Sequence, residues 1–357
     1  MLNDTARKWI GLWLLAGCLM VFFQVIVGGV TRLTESGLSI TEWKPVKGIV
    51  PPLNEAEWQA EFALYQQVTQ FKTLNQTMTL QEFKWIYFWE YFHRFWARFM
   101  GFVFIIPFSF FLYKKWFTRD LMLKTIPLFV WGGVIGIYGW IMVSNGLKGM
   151  YVPPIHLSIH LVLALSLFAY LVWLTTYVFR SNAAFAVKES VYLKRVLSLI
   201  VGLLMVQLFL GGIVSGMKAG LAANTWPDIN GEWIPAVMWT EQPNMAGFTA
   251  YNAQDYWGRI LIQFLHRSTA YVLVALVLFF FVKAIGMSDD RVVKNSVRLL
   301  PVSVLLQAVI GIVTVMNCTG HIPVFYGVLH QAGAMVLIAN SVFILFHLRS
   351  NPTTASV

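Results

Sequence analysis

Four of the seven histidines in this 357-residue chain recur in matching contexts: His93, His160, His266 and His330. Arg94 follows the first and Arg267 follows the third, while His160 and His330 open the apolar runs that come two runs later. A neutral imidazole is a good ligand for iron, and two of them on facing helices can hold one haem from both sides. A bare metal ion would want more carboxylate or thiolate donors at the same depth than the sequence offers. The plainer alternative is four buried, hydrogen-bonded histidines. Polar groups within a membrane are costly and tend to be functional, so equivalent placement of all four favours ligation.

Glu90 lies three residues before His93, on the same helix face. The equivalent residue before His266 is Gln263. Only the first histidine pair therefore has a carboxylate beside it. A carboxylate in a partly dry site can serve as general base or stabilise developing positive charge. The reaction is accordingly assigned to the first pair, and a retained haem to the second. The competing role for Glu90 is an ion pair with Arg94 or Arg98. Arg94 and Arg267 have the shape to contact haem propionates, with snorkelling to the interface as an equal alternative. His156 shares a face with His160, but its counterpart is Tyr326, which suits an auxiliary role. His321 and His347 follow no pattern. Gly28-Gly29 and Gly211-Gly212 are read as sites of close helix packing or of a tight exit from the span.

These residues need helices that cross a membrane. The chain is 58% hydrophobic and 12% charged, about half the charge of a soluble domain. Eight apolar runs of spanning length occur, near 9–30, 91–113, 124–144, 155–179, 194–214, 257–284, 297–317 and 323–348. Net charge is +10, but Lys and Arg sit in short alternate loops, so they set topology and do not point to nucleic acid. Both termini are expected in the cytoplasm. The fold class is an all-α integral membrane protein of eight transmembrane helices. Gln24–Trp43 aligns without gaps on Gln207–Trp226, and Val134-Ile135-Gly136-Ile137 matches Val309-Ile310-Gly311-Ile312. The chain is expected to form two tandem parallel-repeat four-helix bundles, residues 1–180 and 181–357. In the long loop 31–90, Trp58, Phe62 and Tyr65 recur on one helix face, as in an amphipathic helix lying on the membrane or capping the bundle. Cys18 and Cys318 show no spacing that calls for a disulfide. The first run carries no cleavage site and no Arg- and Ser-rich presequence, which favours a retained helix in a bacterial inner membrane.

The stretch Gly28-Gly29-Val30-Thr31-Arg32-Leu33-Thr34-Glu35-Ser36-Gly37-Leu38-Ser39, with Trp43-Lys44-Pro45, Gly48 and Pro51-Pro52, resembles the first outer loop of haem A synthases. Glu82-Phe83-Lys84-Trp85-Ile86 leading to Glu90-Tyr91-Phe92-His93-Arg94 resembles that family's entry to its second span. The likeness is to the mitochondrial and alphaproteobacterial branch and covers nearly the whole chain. It implies oxidation of a ring methyl of haem O to the formyl group of haem A, for cytochrome c oxidase. It implies substrate haem at His93 and His160, catalysis by Glu90, and a haem b cofactor at His266 and His330. It also implies haem O supplied by a membrane farnesyl transferase, with the electron acceptor unnamed and a homo-oligomer allowed for. Some members carry a cysteine pair in the first outer loop; this chain has none there, so a mechanism built on that pair does not apply.

Two rivals share these features. A di-haem cytochrome carrying electrons between quinol and an acceptor would use the same histidines without needing Glu90. A transporter with parallel repeats would place its substrate path at the midplane, whereas the four histidines belong to the outer half.

Overall fold

The computed structural model describes residues 3–42, 50–180 and 191–348. Trp43, Lys44, Pro45 and Gly48, named above, lie outside the described residues. The described chain is helical, with a single isolated bridge between Ile229 and Glu232. Eight helices are long and apolar enough to cross a membrane: α1 (Asp4–Leu33), α4 (Leu80–Tyr113), α5 (Arg119–Gly146), α6 (Pro154–Arg180), α7 (Val191–Gly216), α10 (Tyr256–Ala284), α11 (Arg291–Met316) and α12 (Val324–His347). Four short ones lie in the connections: α2 (Glu55–Tyr65), α3 (Thr69–Leu74), α8 (Val237–Thr240) and α9 (Ala246–Thr249). Helices satisfy their own backbone polar groups, which is what a hydrocarbon surround demands. The chain is a multi-pass membrane protein.

Side-chain caps fix several starts. Asn3, Thr118 and Asp290 each accept a backbone N–H from the first turn of the helix that follows. The one large departure from the expected spans is α4, which begins at Leu80 and not near 91. Thr79 and Glu82 form a reciprocal capping box there, and the helix runs on unbroken into the apolar segment. The extra turns carry Phe83, Ile86 and Tyr87, which are buried under α2. The expected Trp58, Phe62 and Tyr65 face of α2 supplies the cover, with ring centroids of Phe62 and Tyr65 at 5.0 and 5.3 Å from Phe83. The amphipathic helix therefore caps the bundle. Burial pushes the Tyr65 phenol up to about 12, so it stays protonated and donates to Gln70 Oε1 at 3.0 Å.

Helices α1, α6, α7 and α12 form the centre, with α4 and α5 flanking one side and α10 and α11 the other. In the second half, α7, α10, α11 and α12 close a ring in which each helix packs on the next. The first half is less complete. α1 packs on α4 and α6, and α5 packs on α6, but α4 and α5 do not approach along their length. They meet through side chains at the end away from the long loops, where Phe108 and Phe129 lie 4.7 Å apart. Indoles clasp α1 to α4 in both directions: Trp13 Nε1 donates to Val103 O at 3.0 Å, and Trp96 Nε1 to Met20 O at 3.1 Å.

Polar contacts tie the halves together at both ends. Arg32 donates to Ser215 O at 2.7 Å, and Lys218 pairs with Glu35 at the loop end. Arg180 pairs with Asp290 at 2.6 Å at the other end. The cysteines do not pair with each other: Cys18 sits 3.4 Å from Thr175 Oγ1, and burial pushes the Cys318 thiol up to about 11.

Candidate functional site

All four repeat-matched histidines lie toward the loop end of their helices, on α4, α6, α10 and α12. His93 and His160 belong to α4 and α6 of the first half, His266 and His330 to α10 and α12 of the second.

Each imidazole rests against a glycine of the neighbouring helix. A methyl group added at Gly28 would lie 2.9 Å from His93 Cε1, at Gly139 3.2 Å from His160, at Gly211 3.1 Å from His266 and at Gly311 2.8 Å from His330. These glycines let the backbone approach the flat ring. The Val-Ile-Gly-Ile match had equated Gly136 with Gly311; the contacts equate Gly139 with Gly311, one turn further on, and Gly136 meets nothing. The second glycine of each Gly-Gly pair serves the seam between halves. Gly29 abuts the Gln331 amide of α12, and Gly212 lies against the Ser158 backbone of α6 more closely than a side chain could tolerate. The close-packing reading of both pairs is what the geometry supports.

Glutamines steer three of the four rings, a role the sequence reading missed. Gln24 Nε2 lies 3.0 Å from His93 Nδ1, Gln207 Nε2 3.3 Å from His266 Nε2, and Gln307 Nε2 3.0 Å from His330 Nδ1. Each sits four residues before the glycine that seats the same histidine, as Gln24–Gly28, Gln207–Gly211 and Gln307–Gly311. That spacing puts amide and glycine on one helix face. The fourth helix has Ile135 before Gly139. His160 accordingly lacks a glutamine; Tyr138 stacks near its ring at 6.5 Å and also meets His156 Nδ1 at 2.8 Å. His156 is thus joined to the site through Tyr138. His321 and His347 stand apart, against the backbone oxygens of Thr319 and Phe343.

Glu90 is 2% exposed and accepts three hydrogen bonds, from Ser39 Oγ at 2.7 Å, Ile40 N at 2.8 Å and Arg94 at 2.5 Å. The carboxylate thereby fastens the first loop over the His93 pair. Arg94 also donates to Ile40 O at 3.2 Å. Gln263 and Arg267 hold the equivalent loop residue of the second half, with Gln263 Nε2 donating to Ala223 O at 2.9 Å and Arg267 to the same oxygen at 3.3 Å. Arg267 further donates to Thr225 O and Asp228 O. Both arginines, for which propionate contact and snorkelling were equal alternatives, hold loop backbone here. The ion pair with Arg94 considered for Glu90 is present. Ser39 is the other group that sequence reading passed over, and its counterpart is Ala222.

The donor set suits a porphyrin. Among the described residues no three His, Cys, Asp or Glu side chains converge as a bare ion would need. A porphyrin brings four nitrogens of its own and asks the protein only for axial ligands, which a histidine pair supplies. The buried polar atoms around the pairs point the same way. Gln24 Oε1, Gln207 Oε1, Gln307 Oε1, His160 Nδ1 and His266 Nδ1 have no hydrogen-bond partner within the protein. Such orphans are uncommon and call for an explanation.

Comparisons with known proteins agree with this chemistry. Residues 11–342 match the family model described as cytochrome oxidase assembly protein. A protein named Heme A synthase from Parvibaculum lavamentivorans is 39% identical over 342 residues, covering 96% of this chain and 94% of its own. Its namesake from Nitrosomonas eutropha is 37% identical, covering 94% and 92%, and that from Methylorubrum populi is 40% identical, covering 91% and 83%.

Proposed function

The chain belongs to the cytochrome oxidase assembly protein family, and from that premise we propose that it is a haem A synthase, oxidising a ring methyl of haem O to a formyl group. The relatives that carry that name span nearly its whole length. The observation that carries the reading is the inequality of the two histidine pairs: one has a buried carboxylate three residues away, the other an amide.

His93 and His160 hold the iron of haem O. His266 and His330 hold a haem b. Haem b would supply one-electron redox chemistry beside the substrate; converting the methyl to a formyl group takes its oxygen from one water and releases four protons and four electrons, the electrons passing to an acceptor outside the chain. The remaining work belongs to side chains. Glu90 presents a carboxylate whose position is set by Ser39, Ile40 and Arg94, so it can take a proton or stabilise positive charge at the macrocycle edge without reorganising. The α2 cap and the loop docked on Glu90 would cover that edge. Basic loops at the end away from the histidines suit a cytoplasmic face, with both termini there and the sites toward the periplasmic side of a bacterial inner membrane. Haem O would come from a farnesyl transferase in the same membrane.

Glu90→Ala should abolish haem A formation in cells supplied with haem O while the protein still purifies with its second-half haem. Normal haem A from that variant would remove Glu90 from the chemistry. One observation favours a second reading, a di-haem electron carrier: Gln263 and Arg267 clamp their loop much as Glu90 and Arg94 do, so the carboxylate has a holding role as well. Extracted pigment separates the two. Haem A or its alcohol precursor supports the synthase; haem b alone, with quinol-dependent reduction, supports the carrier.

A further inference from the structure

We infer that the unpacked space between α4 and α5 is the seat of the substrate's isoprenoid tail, and that the second half is filled at the same place so as to refuse it. This rests on haem O binding at His93 and His160.

The space is bounded on the page. Its floor is the contact of Phe108 with Phe129. The backbones of the two helices make no extended approach. Phe129, Gly132, Gly136 and Gly139 recur at three- and four-residue steps, so they share one face of α5. Gly139 meets His160, while a methyl added at Gly132 or Gly136 would meet no atom. The face that touches the histidine thus continues into open space. From Phe129 to Gly139 the helix rises about 15 Å.

The second half reads differently at every step. With Gly139 set against Gly311, Phe129 falls on Pro301, Gly132 on Val304 and Gly136 on Ala308. Pro301 is buried, Val304 is 5% exposed within the core, and α10 packs on α11. The steering glutamine of α11 becomes Ile135 on α5; His160 Nδ1 is without a partner, as His266 Nδ1 is in the second half. The loosened side of the molecule is thus the side of α5.

The chemistry of the substrate selects the occupant. Its propionates are anionic and belong at the polar loop end, so the macrocycle edge away from them points toward the membrane centre. On haem O that edge region carries an apolar chain that haem b lacks. An apolar groove running from the histidines toward the midplane matches such a chain, and a gap between two membrane helices gives it a way in from lipid.

The test titrates the purified full-length protein, carrying its second-half haem, with haem O and with haem b, and follows the Soret band. The wild type should bind haem O about tenfold or more tightly than haem b, since burying several methylenes is worth at least that factor. Gly132→Val, which installs the residue of the second half, should remove this preference by weakening haem O alone. Gly136→Val should repeat the effect, and retention of the second-half haem checks that each variant is folded. Equal affinities in the wild type, or a preference untouched by both substitutions, would overturn the groove. If His93→Ala and His160→Ala leave haem O binding intact, the substrate pair itself is wrong, and the groove falls with it.

Discussion

Each site histidine is held by what the facing helix leaves out as much as by what it offers. Glycine gives the imidazole a flat seat, and for His93, His266 and His330 a glutamine one turn away gives it a direction. Partners behind a metal ligand commonly carry a factor of about 10–100 in affinity. Gln307→Leu should therefore weaken retention of the second-half haem by about that factor, read as haem loss during dialysis against a scavenging apoprotein. Unchanged retention would mean that the glutamine is only filling space. Glu90 and Arg94 form a pair with side chains 3% and 13% exposed. Removing one partner of such a buried pair costs about 3–5 kcal/mol. Glu90→Ala should thus lower thermal stability as well as activity, and Glu90→Gln, nearly the same shape, should recover part of the stability without the activity. Full activity in Glu90→Gln would show that an amide suffices.

At the scale of elements, the extended start of α4 is what brings the long first loop to the site. Thr79 and Glu82 start the helix early, α2 lies on the extra turns, and the intervening chain lowers Ser39 and Ile40 onto Glu90. Phe83→Ala should cost about 3–5 kcal/mol, since it empties the centre of that aromatic cluster. The loss should fall on the cap: proteolysis of the loop between α1 and α4 would increase while the second-half haem stays bound. A uniform loss of both haems would show that the cap and the bundles fold as one unit.

Across the whole molecule, much could be read from sequence because membrane helices leave so few places for polar residues. His93, His160, His266, His330 and Glu90 stood out against apolar surroundings, and seven of the eight spans lay near their expected places, α4 beginning early. The early start of α4 was missed because hydropathy marks the apolar run, whereas a helix ends where its caps lie. The glutamines were visible as a repeat, but an amide before a glycine looks the same whether it steers a ring or joins two helices. The register of α5 against α11 was set one turn off by four identical residues, and only the contacts of Gly139 and Gly311 correct it. Nothing in the apolar periodicity of α4 and α5 says that they decline to pack on each other. That property depends on their neighbours, and it makes the first half open where the second is closed.

The central claim is that two histidine pairs hold two different haems, one to be changed and one to be kept. The most direct measurement is the identity and amount of haem extracted from protein purified from cells that make haem O, with His93→Ala and His266→Ala alongside the wild type. The account predicts haem b together with haem O or its oxidised products in the wild type, loss of the haem O series alone in His93→Ala, and loss of haem b in His266→Ala. A colourless wild type, or two variants that lose the same haem, would contradict it.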